Sequence, residues 1–348
     1  AYGTNIVVDS NTISNQYYYA TYFYYTDFNS ISHNSILSRI TNAHTYWYGL
    51  RLYYCNFVAD GNKIHARTSF TYLYNTYIYY AGNTSNASIF SNNEIIGITS
   101  GTYYGMYLGS ANNLNIYNNS IYMSGSGASR NIYMTDIASS TYDIKNNILV
   151  NASTGHPLYV GGTATVLTSD YNCLYGNSYV AYLTSAYTNL PSWQTASGQD
   201  ANSVSVNPSF INSGINLEIS NYTTAFVCPR QVPMDIYGKN RMELTTMGAY
   251  SLEVYEGYNL ALVDISPKEV ADMHCFENFA SVKVVLNNTG TKDYYFDTNN
   301  VRLYVEVTGA INFQADKLIN IGSLTALTKD TIEISNLLPV SMPGLYHI

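Results

Sequence analysis

Charge is scarce in this sequence of 348 residues: only 11% are Asp, Glu, Lys or Arg, against about 25% in ordinary soluble domains. The strong helix formers Glu, Lys, Gln and Leu are thin as well, so almost no helix is expected. Lys and Arg number 15 against 23 Asp and Glu, a net charge of −8. The basic residues form no cluster, so the electrostatic footprint that a phosphate backbone requires is missing and nucleic acid is excluded as an expected partner. No apolar run approaches the roughly 20 residues that cross a bilayer, which predicts no membrane-spanning segment. The opening Ala1-Tyr2-Gly3-Thr4 is not a signal peptide, and any export signal is expected to have been removed. Cysteines are few: Cys55, Cys173, Cys228 and Cys275 show neither zinc-site spacing nor the density of a disulfide scaffold.

What the sequence does have is tyrosine, 38 of them, in a background of Asn, Ser and Thr. Tyr, Thr, Val and Ile favour pleated strands, so an all-β chain follows. A recurring Asn-x-Ile/Leu organises it: Asn11, Asn34, Asn62, Asn93, Asn119, Asn147 and Asn172 each begin such a triplet. Successive copies lie 23, 28, 31, 26, 28 and 25 residues apart, a period of solenoids, propellers or arrays. One coil of a parallel β-helix fits it best. Asn tolerates the left-handed conformation of a corner, its amide can bond to its equivalents when coils stack, and the apolar residue two positions on then points into the core.

A second alignment gives another strand per coil: Tyr22-Phe23-Tyr24, Leu50-Arg51-Leu52, Ile78-Tyr79-Tyr80, Met106-Tyr107-Leu108, Ile132-Tyr133-Met134 and Leu158-Tyr159-Val160. Alternation across a strand turns the outer members inward and the central ones outward. An external row of Phe23, Arg51, Tyr79, Tyr107, Tyr133 and Tyr159 is therefore expected. A third strand precedes each Asn corner and carries Ile31, Phe57, Ile89, Ile116, Ile144 and Val166 toward the core. Seven to nine coils of three strands result. Cys55 and Cys173 then lie several coils apart and are not expected to bridge, since a disulfide needs Cα atoms within about 7 Å.

Between residues 185 and 255 the pattern changes to Trp193-Gln194, Gly198-Gln199-Asp200-Ala201-Asn202-Ser203, Asn207-Pro208-Ser209-Phe210, Asp235-Ile236-Tyr237-Gly238-Lys239-Asn240-Arg241 and Gly248-Ala249-Tyr250. In physical terms this is a last coil and a cap, covering strand edges that would otherwise stay unpaired. The series resembles the end of right-handed parallel β-helix regions of the pectate-lyase superfamily type, found in large secreted Bacteroidota surface proteins. The resemblance covers roughly residues 5 to 255; it implies fold, export (type IX secretion machinery as a transient partner) and an outer cell-surface or secreted location, not a reaction.

Beyond this point the composition shifts. Residues 1–200 hold 6 Lys and Arg, 8 Asp and Glu and 29 Tyr, and the other 148 hold 9, 15 and 9. Ser281–Leu286, Val301–Val307 and Thr331–Ile334 alternate as half-buried strands around turns such as Asn288-Thr289-Gly290, the pattern of a β-sandwich. Asn259–Leu262, Ile265-Ser266-Pro267, Val284–Thr291 and Pro343–Tyr346 resemble immunoglobulin-like adhesion modules of the CARDB type. A β-helix with cap over 1–255 and an incomplete sandwich over 256–348 are expected, with Cys228 and Cys275 flanking the junction, bridged or not.

Catalytic constellations are missing. Polysaccharide-cutting β-helices need grouped carboxylates with a cation or base, whereas Asp27, Asp60, Asp136, Asp143 and Asp170 read as different phases of the coil. His33, His44, His65 and His156 lack shared-ligand spacing and read as solvated loop or corner residues. No metal, cofactor or catalytic residue is expected. The external aromatic row is the constellation with binding capacity, because tyrosine offers a ring and a hydroxyl at little entropic cost; a purely structural role, bracing neighbouring strands, is the simpler account of it. The reading is a noncatalytic surface stalk or adhesin segment with glycans or other surface proteins as partners. The alternative is a polysaccharide lyase or glycoside hydrolase.

Overall fold

The computed structural model describes residues 3–40, 45–82, 86–101, 103–135, 140–161, 166–266, 281–309, 312–335 and 346–347. It is 58% strand and 4% helix, with a parallel β-solenoid of about 6 turns, built from seven parallel strands in each of its three sheets. None of the described helices is long and apolar enough to cross a membrane. The chain divides into two units, residues 1–221 with 225–252, and residues 222–224 with 253–348.

Three parallel sheets wrap the solenoid, and each coil contributes one strand to each. The first sheet runs from Gly3–Asp9 to Val166–Asp170, and the second from Thr12–Gln16 to Cys173–Gly176. The third holds Tyr19–Tyr24, Tyr46–Tyr53, Tyr72–Tyr79, Tyr103–Gly109, Ser129–Thr135, His156–Val160 and Ala181–Tyr182, closed by antiparallel Ala186–Tyr187. Inside, side chains stack by type. Ile36, Ile64, Ile95, Ile121, Leu149 and Leu174 form one buried column, and Leu52, Ile78, Leu108, Met134 and Val160 form another. In the first sheet the inward column is Ile31, Ala59, Phe90, Ile116 and Ile144. Ile89, expected there, is half-buried on the other side of its strand, one residue before Phe90. Val166 begins its strand opposite Thr141, and its side chain is outside the described residues.

The asparagines meet as a ladder. In each coil the backbone N–H and the side-chain Nδ2 both donate to Oδ1 of the next: Asn34 to Asn62, Asn62 to Asn93, Asn93 to Asn119, Asn119 to Asn147 and Asn147 to Asn172, all at 2.9–3.1 Å. Asn11 starts it, donating twice to Asn34 at 3.0 Å. The second Nδ2 hydrogen reaches a carbonyl of the first sheet, as from Asn119 to Phe90 O at 2.9 Å. From Asn34 onward the ladder is buried, so each amide replaces water entirely.

The left-handed residue, however, is not the ladder Asn but its predecessor: Ser10, His33, Gly61, Asn92, Asn118, Asn146 and Tyr171 have φ between 52° and 65°. The physical reason is the ladder itself, which needs the Asn side chain directed inward beside its own N–H, while the sharp turn falls one residue earlier.

The terminal motifs split into two devices. The helix Leu190–Ser197 is capped at its start by Asn189, whose Oδ1 accepts from Ser192 N at 3.0 Å, and it sets a fully buried Trp193 against the core. Trp193 Nε1 donates to Asp200 Oδ2 at 2.8 Å, and Asp200 Oδ1 accepts from Ser169, Ser203 and Asn172 at 2.9, 2.6 and 3.1 Å. Asp200 and Ser203 thus end the Asn ladder where no further Asn follows. The rest does not cap the end but returns along the solenoid's side, and the expectation of a single terminal cap is corrected to a cap plus a strap formed by residues 207–221 and 225–252. The corner side chains hold it: Nδ2 of Asn92, Asn118 and Asn146 donate to Met234 O, Thr246 O and Pro229 O at 2.8, 3.4 and 2.6 Å. Gly248 has φ 86°, and a Cβ there would lie 2.7 Å from Ile148 Cδ1, so only glycine lets the strap seat so closely.

The second unit builds two antiparallel three-stranded sheets, Leu260–Ser266 with Ser281–Asn288 and Lys329–Ser335, and Phe313–Ile319 with Val301–Gly309 and Tyr346–His347. Val282, Val284, Leu286, Phe296, Leu303, Val305, Val307, Leu324 and Ile334 form their common core. Pro267, Cys275 and Pro343–Leu345 lie outside the described residues. Cys55, Cys173 and Cys228 are buried free thiols, and burial pushes Cys173 and Cys228 up to about 12.

Candidate functional site

On the outward face of the third sheet, register pairs Tyr22, Arg51, Tyr77, Tyr107, Tyr133, Tyr159 and Tyr182 into one row across seven strands. Four of the expected members, Arg51, Tyr107, Tyr133 and Tyr159, stand in it and two do not. Phe23 turns inward against the core, in line with Leu52; it is the apolar member of a strand whose tyrosines face outward. Tyr79 faces outward but sits two residues further along, in a second row with Tyr24 and Tyr53.

A third row, Tyr19, Tyr48, Tyr74, Tyr104, Arg130 and His156, flanks the first on its other side. Rings follow one another at strand spacing. Tyr48 and Tyr74 stack with centroids 4.6 Å apart, Tyr77 and Tyr107 at 4.8 Å, and Tyr159 and Tyr182 at 4.1 Å, all within 5° of parallel. Such rings spend their faces on each other and turn edges and hydroxyls outward. Near Tyr133 the packing opens: its planes lie 38°, 42° and 43° from those of Tyr104, Tyr107 and Tyr159. Partial burial pushes the Tyr48 phenol up to about 12, and burial also raises Tyr74, Tyr77, Tyr104 and Tyr107. These five phenols therefore stay uncharged at neutral pH.

A fourth line runs along the corner itself. Tyr25, Tyr54 and Tyr80 have φ 52°, 54° and 56° and stack at 4.7 and 4.3 Å, 7° from parallel. A bulky residue in the left-handed region costs about 1–3 kcal/mol, whereas an exposed cross-strand pair returns about 0.2–1 kcal/mol. The ladder corner that follows each of these tyrosines makes its turn with His33, Gly61 and Asn92 in succession. The ring surface, rather than the turn, is what tyrosine supplies at this corner.

Two guanidinium groups sit among the rings. Arg51 Cζ lies 4.5–5.3 Å from the centroids of Tyr19, Tyr22, Tyr48 and Tyr77, and its NH1 donates to Tyr19 Oη at 2.8 Å. Arg130 Cζ lies 4.5, 5.1 and 5.7 Å from those of Tyr159, Tyr133 and Tyr104.

Elsewhere one buried carboxylate serves the strap. Glu94 is fully buried, with Oε2 accepting from Leu217 N at 2.7 Å and Tyr250 Oη at 2.5 Å, and Oε1 2.9 Å from His65 Nε2. Burial by itself raises its pKa, but His65 and these donors outweigh that and hold the carboxyl below its ordinary value. His65 is therefore a buried partner of Glu94 and His156 a half-buried neighbour of Arg130, not the solvated residues expected; His33 is an exposed corner, and His44 lies outside the described residues. The signal was available: Lys63 and Glu94 each follow a ladder Asn, placing opposite charges in register on adjacent coils.

Asp60 and Asp170 share one row of the first sheet, contrary to the expectation of different phases, but Ser91, Tyr117 and Lys145 intervene. Asp27 and Asp143 are occupied by Asn56, and by Tyr117 and Lys145, and Asp136 lies outside the described residues. Among the described residues no three His, Cys, Asp or Glu come together as a metal site. Comparison with protein-family models, curated proteins and solved structures finds no match for this chain.

Proposed function

We propose that this chain is a noncatalytic segment of a secreted or cell-surface protein, in which the solenoid is a rigid stalk and its third sheet an adhesive face for glycans. The observation that carries this reading is the tyrosine corner: three successive rings held at strained backbone positions that sheet stability alone does not favour. The adjoining rows extend the same surface over seven strands, offering ring edges and hydroxyls at little entropic cost. A long polymer laid along the axis meets the same groups at every coil, so weak contacts add through repetition. The resemblances to pectate-lyase-type helices and CARDB-type modules of Bacteroidota surface proteins, and export by the type IX route, belong to this reading; the Trp193, Asp200 and Ser203 termination bears on the first of them alone.

The test is the double substitution Tyr107→Ser with Tyr133→Ser. Both residues lie on the outer face, so the core stays intact and stability falls by about 1–3 kcal/mol, the sum of a few cross-strand pairs. The folded variant is expected to lose binding on a glycan array and adhesion to glycan-coated surfaces. Unchanged binding in the folded variant reduces the rows to sheet bracing.

A further inference from the structure

The strands of the third sheet contain no Asp or Glu at all, although the chain carries a net charge of −8. Their ionisable groups other than phenols are Arg51, Arg130 and His156. Among the described residues, neither arginine belongs to an ion pair. Each is held instead by ring faces, which attract a cation by about 0.5–2 kcal/mol and leave its charge in place. An anion adds an opposite charge, which no neutral phenol supplies, and the guanidinium fork matches carboxylate and sulfate geometry.

His156 registers that unrelieved charge. It is paired in register with Arg130, and its ring stacks on Tyr179 at 4.7 Å, with Tyr159 and Tyr182 edge-on at 5.6 Å. These phenols and Arg130 are the titratable groups around it. Burial, and then the Arg130 charge, push its pKa down from 6.5 to about 4.

Building on the glycan reading, we propose that Arg51 and Arg130 are two anion subsites of the aromatic face, taking carboxylate or sulfate groups of an acidic glycan that lies along the solenoid axis. Arg51 stands on Tyr46–Tyr53 and Arg130 on Ser129–Thr135, three strands apart in the sheet, so the subsites are offset by about 14 Å along the axis. An oligosaccharide carrying an acidic group on each residue presents charge to both. Filling the Arg130 subsite cancels part of the charge that His156 feels, so its pKa must rise; by reciprocity the glycan then binds more tightly as pH falls toward the pKa of His156.

The test follows the His156 ring protons by NMR across pH in the intact chain, alone and with oligogalacturonate, dextran sulfate oligosaccharide, neutral dextran oligosaccharide or inorganic sulfate. The expected result is binding of at least one acidic oligosaccharide with an upward shift of the His156 pKa, and no such shift with neutral dextran. Binding should weaken about tenfold in Arg51→Gln with Arg130→Gln, a change of about 1.4 kcal/mol, with Arg130→Lys retaining part of it. Equal affinity for neutral and acidic sugars, unchanged in the folded arginine variant, overturns the anion subsites and leaves the glycan reading standing. A His156 shift with inorganic sulfate but no binding of any oligosaccharide does the reverse. Neither sugar binding nor a shift with any anion overturns both.

Discussion

Asn119→Ala is expected to lower the unfolding free energy by about 3–5 kcal/mol. Asn119 Oδ1 accepts from Asn93 N and Nδ2 at 2.9 and 3.0 Å, and its Nδ2 donates to Phe90 O and Asn147 Oδ1 at 2.9 Å. Alanine strands the Asn93 N–H and the Phe90 carbonyl in a site that water does not enter, each at about 1–3 kcal/mol. Asn119→Asp restores the acceptor but not the donor and buries a charge, so it should not rescue. Asn11, at the exposed first rung, makes the donor half of these contacts, to Asn34 Oδ1 and locally to Asp9 O; water replaces what alanine removes there, and Asn11→Ala should cost about 1 kcal/mol or less. Denaturant melts check this through the midpoint at constant slope. Equal effects at the two positions mean that the ladder does not hold the coils.

Arg241→Lys is expected to release the strap while the coils stay folded. The buried Arg241 guanidinium donates to Met234 O, Thr246 O, Gly248 O and Ala249 O at 2.8–3.1 Å and to Asn92 Oδ1 at 2.9 Å. One ammonium cannot serve five acceptors spread around a planar fork. A local loss of about 3 kcal/mol follows, some hundredfold in the opening equilibrium. Amide exchange of Leu217, Gly248 and Ala249, which bond to Glu94, Asn146 and Ser120, should accelerate accordingly, while Ile121 and Leu149 in the solenoid keep their protection. Uniform acceleration across both sets contradicts a separable strap.

Why some of this was legible in the sequence and some was not follows from the range of each interaction. The ladder repeats once per coil, so its spacing displays it directly, and the column of apolar residues two positions on follows from strand alternation. The outward row was assigned correctly wherever aliphatic residues flank the central position, as at Leu50-Arg51-Leu52 and Met106-Tyr107-Leu108. It slipped at Tyr22-Phe23-Tyr24, because tyrosine is at home on either side of a strand and gives no direction, and at Tyr79, where two outward tyrosines compete for one register. The strap was hidden for another reason. Contacts such as Tyr250 to Glu94 span 156 residues, and no periodicity links their ends. The corner slip has a local cause: the residue before the ladder Asn varies among Ser, His, Gly, Asn and Tyr, so its common left-handed backbone leaves little trace in composition.

Hydroxyl-radical footprinting of the intact chain, free and saturated with the oligosaccharide that binds most tightly on an array, tests the adhesive face most directly. The account predicts protection on binding at Tyr22, Tyr77, Tyr107, Tyr133 and Tyr159, with Tyr237, Tyr258 and Tyr304, all exposed and outside the third sheet, unchanged. Protection at those three with none along the row would contradict it.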